Sequence, residues 1–486
     1  MMNSDSGIMD GKINIRKIVL TASKYVWQIP KPKKKLSLTE RFTWSGMALV
    51  IYLIMGQISL YGAPTSIFDP FAFARVIFAS QQGTLIELGI GPIVTAGLLM
   101  QLLRGSEIIK LDFKNPDDRA LFTSATKIVT IIVIIVEGSL YGTSVYGPAL
   151  AQAGHGQLIY ILLGQLVAAS IVVMMLDELV QKGWGLGSGI SLFILAGVAQ
   201  SILWSTFSPL PAGDGNPIGV IPYLINSLSN GVSEFTDLIF RSGQLPSLFA
   251  LSLTAGIILI LVYSQGIRIE IPIVSTKYRG FTAVYPIKLM YVSNIPVILA
   301  SALTANAIFL AQIFWSNYNP QNNRVFFNWI AQFDPTNPNA PIGGFIYYLV
   351  PPRGLELASL DPTRAVMYVI ILIAIVIIFG RLWVELGGLS PKAAAKNLLD
   401  ANVQVPGFRR AELSVMQLLQ RYIPSVTILG SFFLGLLAGV SDVLGTFGTG
   451  TGLLLAVDIL INYYNLLVKE KVETLMPKLG ALLGRK

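Results

Sequence analysis

The chain has 486 residues, of which 13% are charged and 53% apolar, with a net charge of +9, no cysteine and one histidine. A soluble domain carries about 25% charged residues, so charge this sparse excludes an ordinary water-soluble protein and points to a chain solvated by lipid. The lack of cysteine excludes disulfides, thiolate metal sites and cysteine nucleophiles, and His155 stands alone in a short polar loop.

In chain order, Met1–Lys12 is polar and lacks the apolar core and cleavage site of a removed leader. Ile13–Trp27 places Ile15, Ile18, Val19, Ala22 and Val26 at helical spacing among Arg16, Lys17 and Lys24. That pattern predicts an amphipathic helix in the cytoplasmic interface, with a partner-binding helix as the competing reading. Ten spans follow, most of them uncharged runs near the roughly 20 residues that cross a hydrocarbon core. They are Phe42–Leu60, a broken segment Phe68–Leu103, Ile128–Tyr146, Leu158–Leu176, Trp184–Phe207, Leu248–Gln265, Leu289–Phe314, Ala365–Gly380, Tyr422–Val440 and Leu444–Asn465; the broken segment, Ile128–Tyr146 with Glu137 and Leu444–Asn465 with Asp458 are the three that hold charges. The chain thus divides into a cytoplasmic segment 1–41, an N-terminal half 42–207, an external loop 208–247, a C-terminal half 248–468 and a cytoplasmic tail 469–486.

The broken second segment is interrupted by Asp69, Arg75 and Glu87, and its leading apolar piece is too short to span. A half-inserted element followed by a short helix fits this pattern, and irregular backbone at membrane depth must be shielded by protein. Five spans per half also invite a search for an inverted repeat. The second span of each half carries a proline in an apolar setting, Pro92 and Pro296, and glycine clusters Gly183–Gly189 and Gly445–Gly452 open the fifth span of each half. Those clusters contain the GxxxG pairs Gly185/Gly189 and Gly448/Gly452, which serve either close helix packing or a cavity lining.

Charge gives the orientation. All but five of the 35 Lys and Arg residues fall in the N-terminal arm, Arg104–Lys127, Lys182, Arg268–Lys288, Arg381–Arg421 and the tail; the five are Arg75, Arg241, Arg324, Arg353 and Arg364. The rich and poor sets alternate along the chain, so the positive-inside rule puts both termini and the loops 267–288 and 381–421 in the cytoplasm. The first of these loops alternates as Ile-Arg-Ile-Glu-Ile, which predicts a β-hairpin. Asp458 in the tenth span is read as facing the bundle or the cytoplasmic funnel.

Several strings in order now carry a family resemblance: Leu88–Leu103 (LGIGPIVTAGLLMQLL), Asp112–Phe122, Gly185–Val198 (GLGSGISLFILAGV), Tyr285–Asn306 (YPIKLMYVSNIPVILASALTAN), Gly407–Arg410, Arg421–Pro424 and Gly450–Leu455. The chain resembles the SecY / eukaryotic Sec α-subunit family of protein-conducting channels, particularly archaeal ones, from about Pro32 onward. The long external loops around 209–245 and 317–360 match it poorly. The resemblance implies an all-α polytopic membrane protein with ten transmembrane helices in two inverted five-helix halves, forming an hourglass pore with a plug. Matched position by position, the pore ring is Ile90, Val94, Ile190, Ile194, Ile298 and Leu455, with Leu454 competing for the last place. Ile90/Val94 and Ile190/Ile194 are four apart, as residues on one helix face must be. The resemblance places the plug at Pro70–Gln81, including Phe71, Phe73, Ala74, Val76 and Ile77, and a lateral-gate polar cluster at Thr95, Glu137 and Asn306. It assigns ribosome binding to Arg268, Lys277, Arg279, Lys392, Lys396, Arg409 and Arg410, whose charge would neutralise RNA phosphates without reading sequence.

The function so implied is the pore-forming subunit of the Sec protein translocase in the cell membrane, passing unfolded polypeptides across and releasing transmembrane segments into lipid. Implied partners are a SecE-like subunit, a small single-span β (SecG-like) subunit, the ribosome, signal peptides and nascent chains; no cofactor or metal is implied. The rival is an inverted-repeat small-molecule transporter, which predicts convergent polar groups at the midplane. An intramembrane hydrolase is the enzymatic alternative, and the chain offers neither GxSxG nor HExxH.

Overall fold

A computed structural model describes residues 27–34, 36–64, 69, 74–105, 109, 115–212, 215–230, 239–241, 245–275, 282–292, 295–335, 341–400, 403–404 and 412–475. The amphipathic helix expected over Ile13–Trp27 therefore lies, Trp27 apart, outside the described residues. Helices α1 (Leu38–Met55), α2 (Gly91–Gly105), α3 (Pro116–Tyr141), α4 (Gly147–Gln152), α5 (Leu158–Leu179), α6 (Gly189–Phe207), α7 (Val220–Asn230) and α8 (Leu248–Ser264) come first. Strands β1 (Arg268–Ser275) and β2 (Thr282–Lys288) precede α9 (Ile295–Tyr318) and α10 (Val325–Ile330). Next come β3 (Gln332–Phe333), β4 (Pro341–Gly343), α11 (Leu355–Leu360), α12 (Pro362–Leu386), α13 (Pro391–Asp400), β5 (Val403–Gln404), α14 (Glu412–Leu444) and α15 (Gly450–Leu475).

Helices α1, α2, α3, α5, α6, α8, α9, α12, α14 and α15 fall on the ten expected spans. Seven of them are long and apolar enough to cross a membrane by length and composition. The other three are α2 and α8, with 15 and 17 residues, and α1, which carries Glu40 in its first turn. Several helices outrun the uncharged runs that announced them. α3 starts at Pro116 rather than Ile128 because Asn115 accepts the Asp117 amide and Asp117 and Asp118 suit the positive end of the helix. α14, with 33 residues, extends about 50 Å at 1.5 Å per residue, well beyond a hydrocarbon core of about 30 Å. Polar turns at both ends therefore lie outside lipid, and hydropathy cannot see them.

The described chain forms two compact units, one of residues 1–69, 78–193 and 465–486, the other of 70–77 and 194–464. In the first unit a capping box starts α1: Ser37 Oγ accepts the Glu40 amide and Glu40 Oε2 accepts the Ser37 amide at 2.8 Å. Further along, Tyr52 stacks on Phe193 with centroids 4.2 Å apart. A second core forms on Glu87, which is fully buried. Its carboxyl oxygens accept the Tyr141 hydroxyl at 2.6 Å, the Tyr146 hydroxyl at 2.8 Å and the Gly83 amide. Tyr141 closes α3 and Tyr146 ends the π turn Gly142–Tyr146, so one acid ties the turn before α2 to the end of α3. Gly142 allows this: a Cβ there would lie 2.4 Å from the Leu163 side chain of α5.

In the second unit α12 and α14 pack through small residues, the device expected of helices in lipid. Along α14, Ser431, Gly435 and Gly439 repeat every four residues; a Cβ on Gly435 would lie 2.9 Å from Ile373 Cα, and one on Gly439 3.3 Å from Val369 Cα. Opposite Ser431 stands Gly380 of α12, whose added Cβ would meet the serine Oγ. The expected hairpin is present: β1 and β2 pair antiparallel from Arg268↔Lys288 to Val274↔Thr282. β5 joins the other edge of β1 through Val274↔Gln404 and Ser275↔Val403, giving the order β2-β1-β5. Ile271 and Ile287 of this sheet pack with Ala394, Ala395 and Leu398 of α13 and with Val415, Leu419 and Ile423 of α14. Two basic loops that are distant in sequence thus share one core.

The loop after α9 is also ordered against its helix. Ile308, Ala311 and Trp315 pack with Ala331, Phe333, Ile346 and Leu349. Asp361 then caps α12, accepting the Arg364 amide at 3.0 Å and the Tyr347 hydroxyl at 2.6 Å. The Tyr347 hydroxyl, with the Arg364 amide behind it, holds the Asp361 carboxyl below its ordinary value. A group with a depressed folded-state pKa stabilises fully above its unfolded value, about 3.9 for Asp, and the contribution disappears as pH falls through the folded value. Hydrogen exchange at the Arg364 amide is therefore expected to stay slow down to pH about 4 and to accelerate below it beyond the intrinsic trend. In Asp361→Asn this pH step should vanish.

Candidate functional site

Two of the positions matched to the pore ring, Ile90 and Ile190, sit just after glycine turns. Ile90 lies one residue before α2, not inside it, and its carbonyl accepts the Val94 amide at 3.1 Å, so the two still share one helical turn. The Ile90 amide donates to the Phe78 carbonyl at 2.9 Å. Gly89 makes that turn possible, with φ +54° and no room for a side chain: a Cβ would lie 2.2 Å from the Phe78 oxygen. Both Ile90 and Val94 are buried.

Ile190 opens α6, and Ile194 follows one turn later, fully buried. The Ile190 amide donates to Asp177 Oδ1 at 2.9 Å, and Asp177 also accepts from Gln181 at 2.7 Å. The expected start of this span at Trp184 is thus five residues early. Trp184 ends the π turn Val180–Trp184, and Gly183 and Gly187 take positive φ to reverse the chain before Gly189. α15 begins in the same way. Gly445 and Gly448 have positive φ, and the Gly450 amide donates to Asp442 Oδ1 at 2.8 Å. Asp442 Oδ2 accepts the Tyr368 hydroxyl of α12 at 3.0 Å. Leu455 lies beyond this turn, fully buried, and Leu454 beside it is buried as well. The internal repeat that prolines and glycines only suggested therefore has a matching pair of parts. An aspartate near the end of the fourth and ninth spans caps the span that follows, across a glycine turn. Pro92 and Pro296 each occupy the second residue of their helices, where no amide hydrogen is needed.

Ile298 lies one turn into α9, half-buried, and Asn306 two turns further on, also half-buried. Of the polar cluster, the structure joins Thr95 and Glu137: the threonine hydroxyl of α2 donates to the carboxyl of α3. Phe71 and Phe73 of the expected plug lie outside the described residues. Ala74 and Ile77 are buried, within a run of turns over 74–79 that fits the short non-spanning element. A Cβ on Gly452 of α15 would lie 3.1 Å from Val76 and 3.3 Å from Val198, so Val76 rests against the start of α15. Ile77 lines a small cavity with Ser301, Thr304, Tyr368, Asp442 and Thr451.

Among the basic positions, Lys277, Arg279, Arg409 and Arg410 lie outside the described residues. Arg268 is exposed on β1 and pairs with Glu270 at 2.8 Å. Lys392 and Lys396 are exposed one turn apart on α13, whose Ala394, Ala395 and Leu398 face the core under the sheet. Asp458, expected to face the bundle or the funnel, is buried, accepting Gln265 of α8 and Asn462 at 3.0 Å each. The sequence reading did not single out Asp177 or Asp442. An acid shortly before a glycine cluster that opens a span was the available signal.

Comparison with known proteins places this arrangement among membrane channels. A family model described as SecY matches residues 84–464, and one described as the plug domain of Sec61p matches residues 50–83. "Protein translocase subunit SecY" of Pyrococcus furiosus is 39% identical over 482 residues, covering 96% of this chain and 99% of that one. The protein of the same name from Saccharolobus solfataricus is 39% identical over 477 residues, covering 96% and 98%. A solved structure described as "The structure of a protein conducting channel" aligns with TM-score 0.78 and 37% identity, covering 94% of this chain and 98% of the other. Sec61 in a canine ribosome-channel complex from the endoplasmic reticulum aligns at 0.76, with 36% identity and the same coverage. The class is thus that of multi-pass helical membrane proteins built like protein-conducting channels. The chain belongs to the SecY family.

Proposed function

We propose that this chain is the pore-forming subunit of a protein translocase. It passes unfolded polypeptide between Ile90, Val94, Ile190, Ile194, Ile298 and Leu455 and releases apolar segments sideways past Thr95, Glu137 and Asn306. The observation that carries the reading is the use made of the buried acids. Glu87, Asp177, Asp442 and Asp458 are each engaged by hydrogen bonds that close turns, start helices or join them. A small-molecule transporter would direct such groups at a midplane substrate site. Here the matched constriction is aliphatic, and an apolar collar opposes water and ions by dewetting while yielding to a chain. Ala74, Val76 and Ile77 then belong to the plug, with Phe71 and Phe73.

The exposed Arg268, Lys392 and Lys396, with Lys277, Arg279, Arg409 and Arg410, form the cytoplasmic ribosome-docking face, and the ribosome-bound Sec61 relative supports that assignment. The protein works in the cell membrane with both termini cytoplasmic, beside a SecE-like subunit and a small single-span β subunit. A photocrosslinker at Ile298, presented with a stalled secretory nascent chain, is expected to capture the chain only when its signal sequence is intact. Reaction with lipid alone would refute the pore assignment.

A further inference from the structure

The long loop between α9 and α12 carries α10 and ties it to the helix before it. Asparagine side chains tie the segment together. Trp315 Nε1 donates to Asn322 Oδ1 at 2.8 Å, Asn319 donates to Asn328 Oδ1 at 2.8 Å, and Asn328 donates to the Asn322 carbonyl at 2.8 Å. The Asn322 amide group reaches the Phe333 carbonyl at 3.0 Å, and the Arg324 amide reaches Asn319 Oδ1 at 2.9 Å. These bonds are part-buried, and they tie the segment to Trp315 and Phe333 of the core beneath it. The outward face carries the opposite chemistry: Val325 is 72% exposed, Phe326 74% and Trp329 79%. A helix this firmly tied does not expose three large apolar side chains through looseness.

The apolar face also continues onto the span. Leu303, Leu310, Phe314 and Tyr318 are exposed along α9 at spacings of seven, four and four residues, which is one side of a helix. From Phe314 the rings run on without a polar gap. Centroids are 6.2 Å apart for Phe314–Tyr318, 6.1 Å for Tyr318–Phe327 and 5.7 Å for Phe327–Phe326. Exposed apolar side chains on a span of a multi-pass protein face hydrocarbon, and aromatic rings concentrate where hydrocarbon meets headgroups. Arg324, exposed at the start of α10, stands where a basic side chain can lie along apolar surface with its charge among phosphates.

We propose that α10 is a membrane-interface anchor: Val325, Phe326 and Trp329 lie in the headgroup–acyl boundary of the outer leaflet, continuous with the lipid-facing stripe of α9. The partner is phospholipid, not protein. This inference stands on α9–α10 geometry and does not depend on the pore residues.

The chain has no cysteine, so Phe326→Cys and Trp329→Cys each accept a single environment-sensitive NBD label, with the exposed polar position Gln321→Cys as control. The full chain, with whatever small subunits copurify, is reconstituted in vesicles of equal parts phosphatidylcholine and phosphatidylglycerol. Labels at 326 and 329 are expected to emit to the blue of the label at 321. They should also be quenched about threefold more by nitroxide lipids, and less by iodide on both sides of the bilayer, as an interfacial helix requires. Equal iodide access at 321, 326 and 329 overturns the proposal. So does a label free of lipid quenching in vesicles but shielded in native membranes, since the covering partner is then a protein. All three positions are on the surface, and two independent labels guard against a local disturbance at either one.

Discussion

Glu87→Ala is expected to cost about 3–5 kcal/mol of stability, the range for removing one partner of a buried polar network and leaving the others unpaired. The acid is fully buried and accepts from Tyr141, Tyr146 and the Gly83 amide. Alanine removes the acceptor that two phenol hydroxyls and one amide share and opens a void among aromatic rings. Glu87→Gln should cost less, about 1–2 kcal/mol, because its oxygen still accepts and a tyrosine hydroxyl can turn to accept from its amide. Tyr141→Phe and Tyr146→Phe should each fall near the glutamine variant, since each removes one bond and leaves a second donor in place. Denaturation in detergent measures the order Ala worse than Gln, Tyr→Phe near Gln. Equal stability of Glu87→Ala and the parent would show that the three donors find other partners.

The second large effect is expected at Asp442. It is 4% exposed and serves two helices at once, accepting the Gly450 amide at the start of α15 and the Tyr368 hydroxyl of α12. Losing a helix cap costs about 1 kcal/mol and orphaning a buried hydroxyl about 1–3, so Asp442→Ala should lose about 3 kcal/mol in detergent unfolding. Asp442→Asn keeps an acceptor for the amide and should recover most of the loss. The helix released is the one that carries Leu455, so proteoliposomes of the alanine variant are also expected to leak chloride faster than the parent. Stability lost without leak would separate the cap from the proposed constriction. Asp177→Ala, which uncaps α6, is the matching comparison.

The spans were legible because lipid demands long apolar runs with few charges, and the ten expected spans fell on ten helices. Their ends were not, because Asp117 and Asp118 start α3 and Arg421 lies inside α14, all within charged stretches that hydropathy discards. The hairpin was readable from its two-residue alternation. Its third strand was not, since two residues at Val403–Gln404 carry no period and pair across more than a hundred residues of chain. Glu87 was noticed only as an interruption, because a lone acid in an apolar segment does not announce which tyrosines will reach it. The glycine clusters showed where backbone freedom was needed. Only φ values and close approaches separate the turn-formers Gly187 and Gly448 from the packing positions Gly435 and Gly439, which were passed over.

The sheet β2-β1-β5 has a mechanical consequence. Its central strand follows α8, one neighbour leads toward α9, and the other lies between α13 and α14. Whatever presses on one of these projections meets the stiffness of both. Thrust or torque applied from that side reaches the roots of four helices together, as a yoke shares a load, instead of bending a single tether.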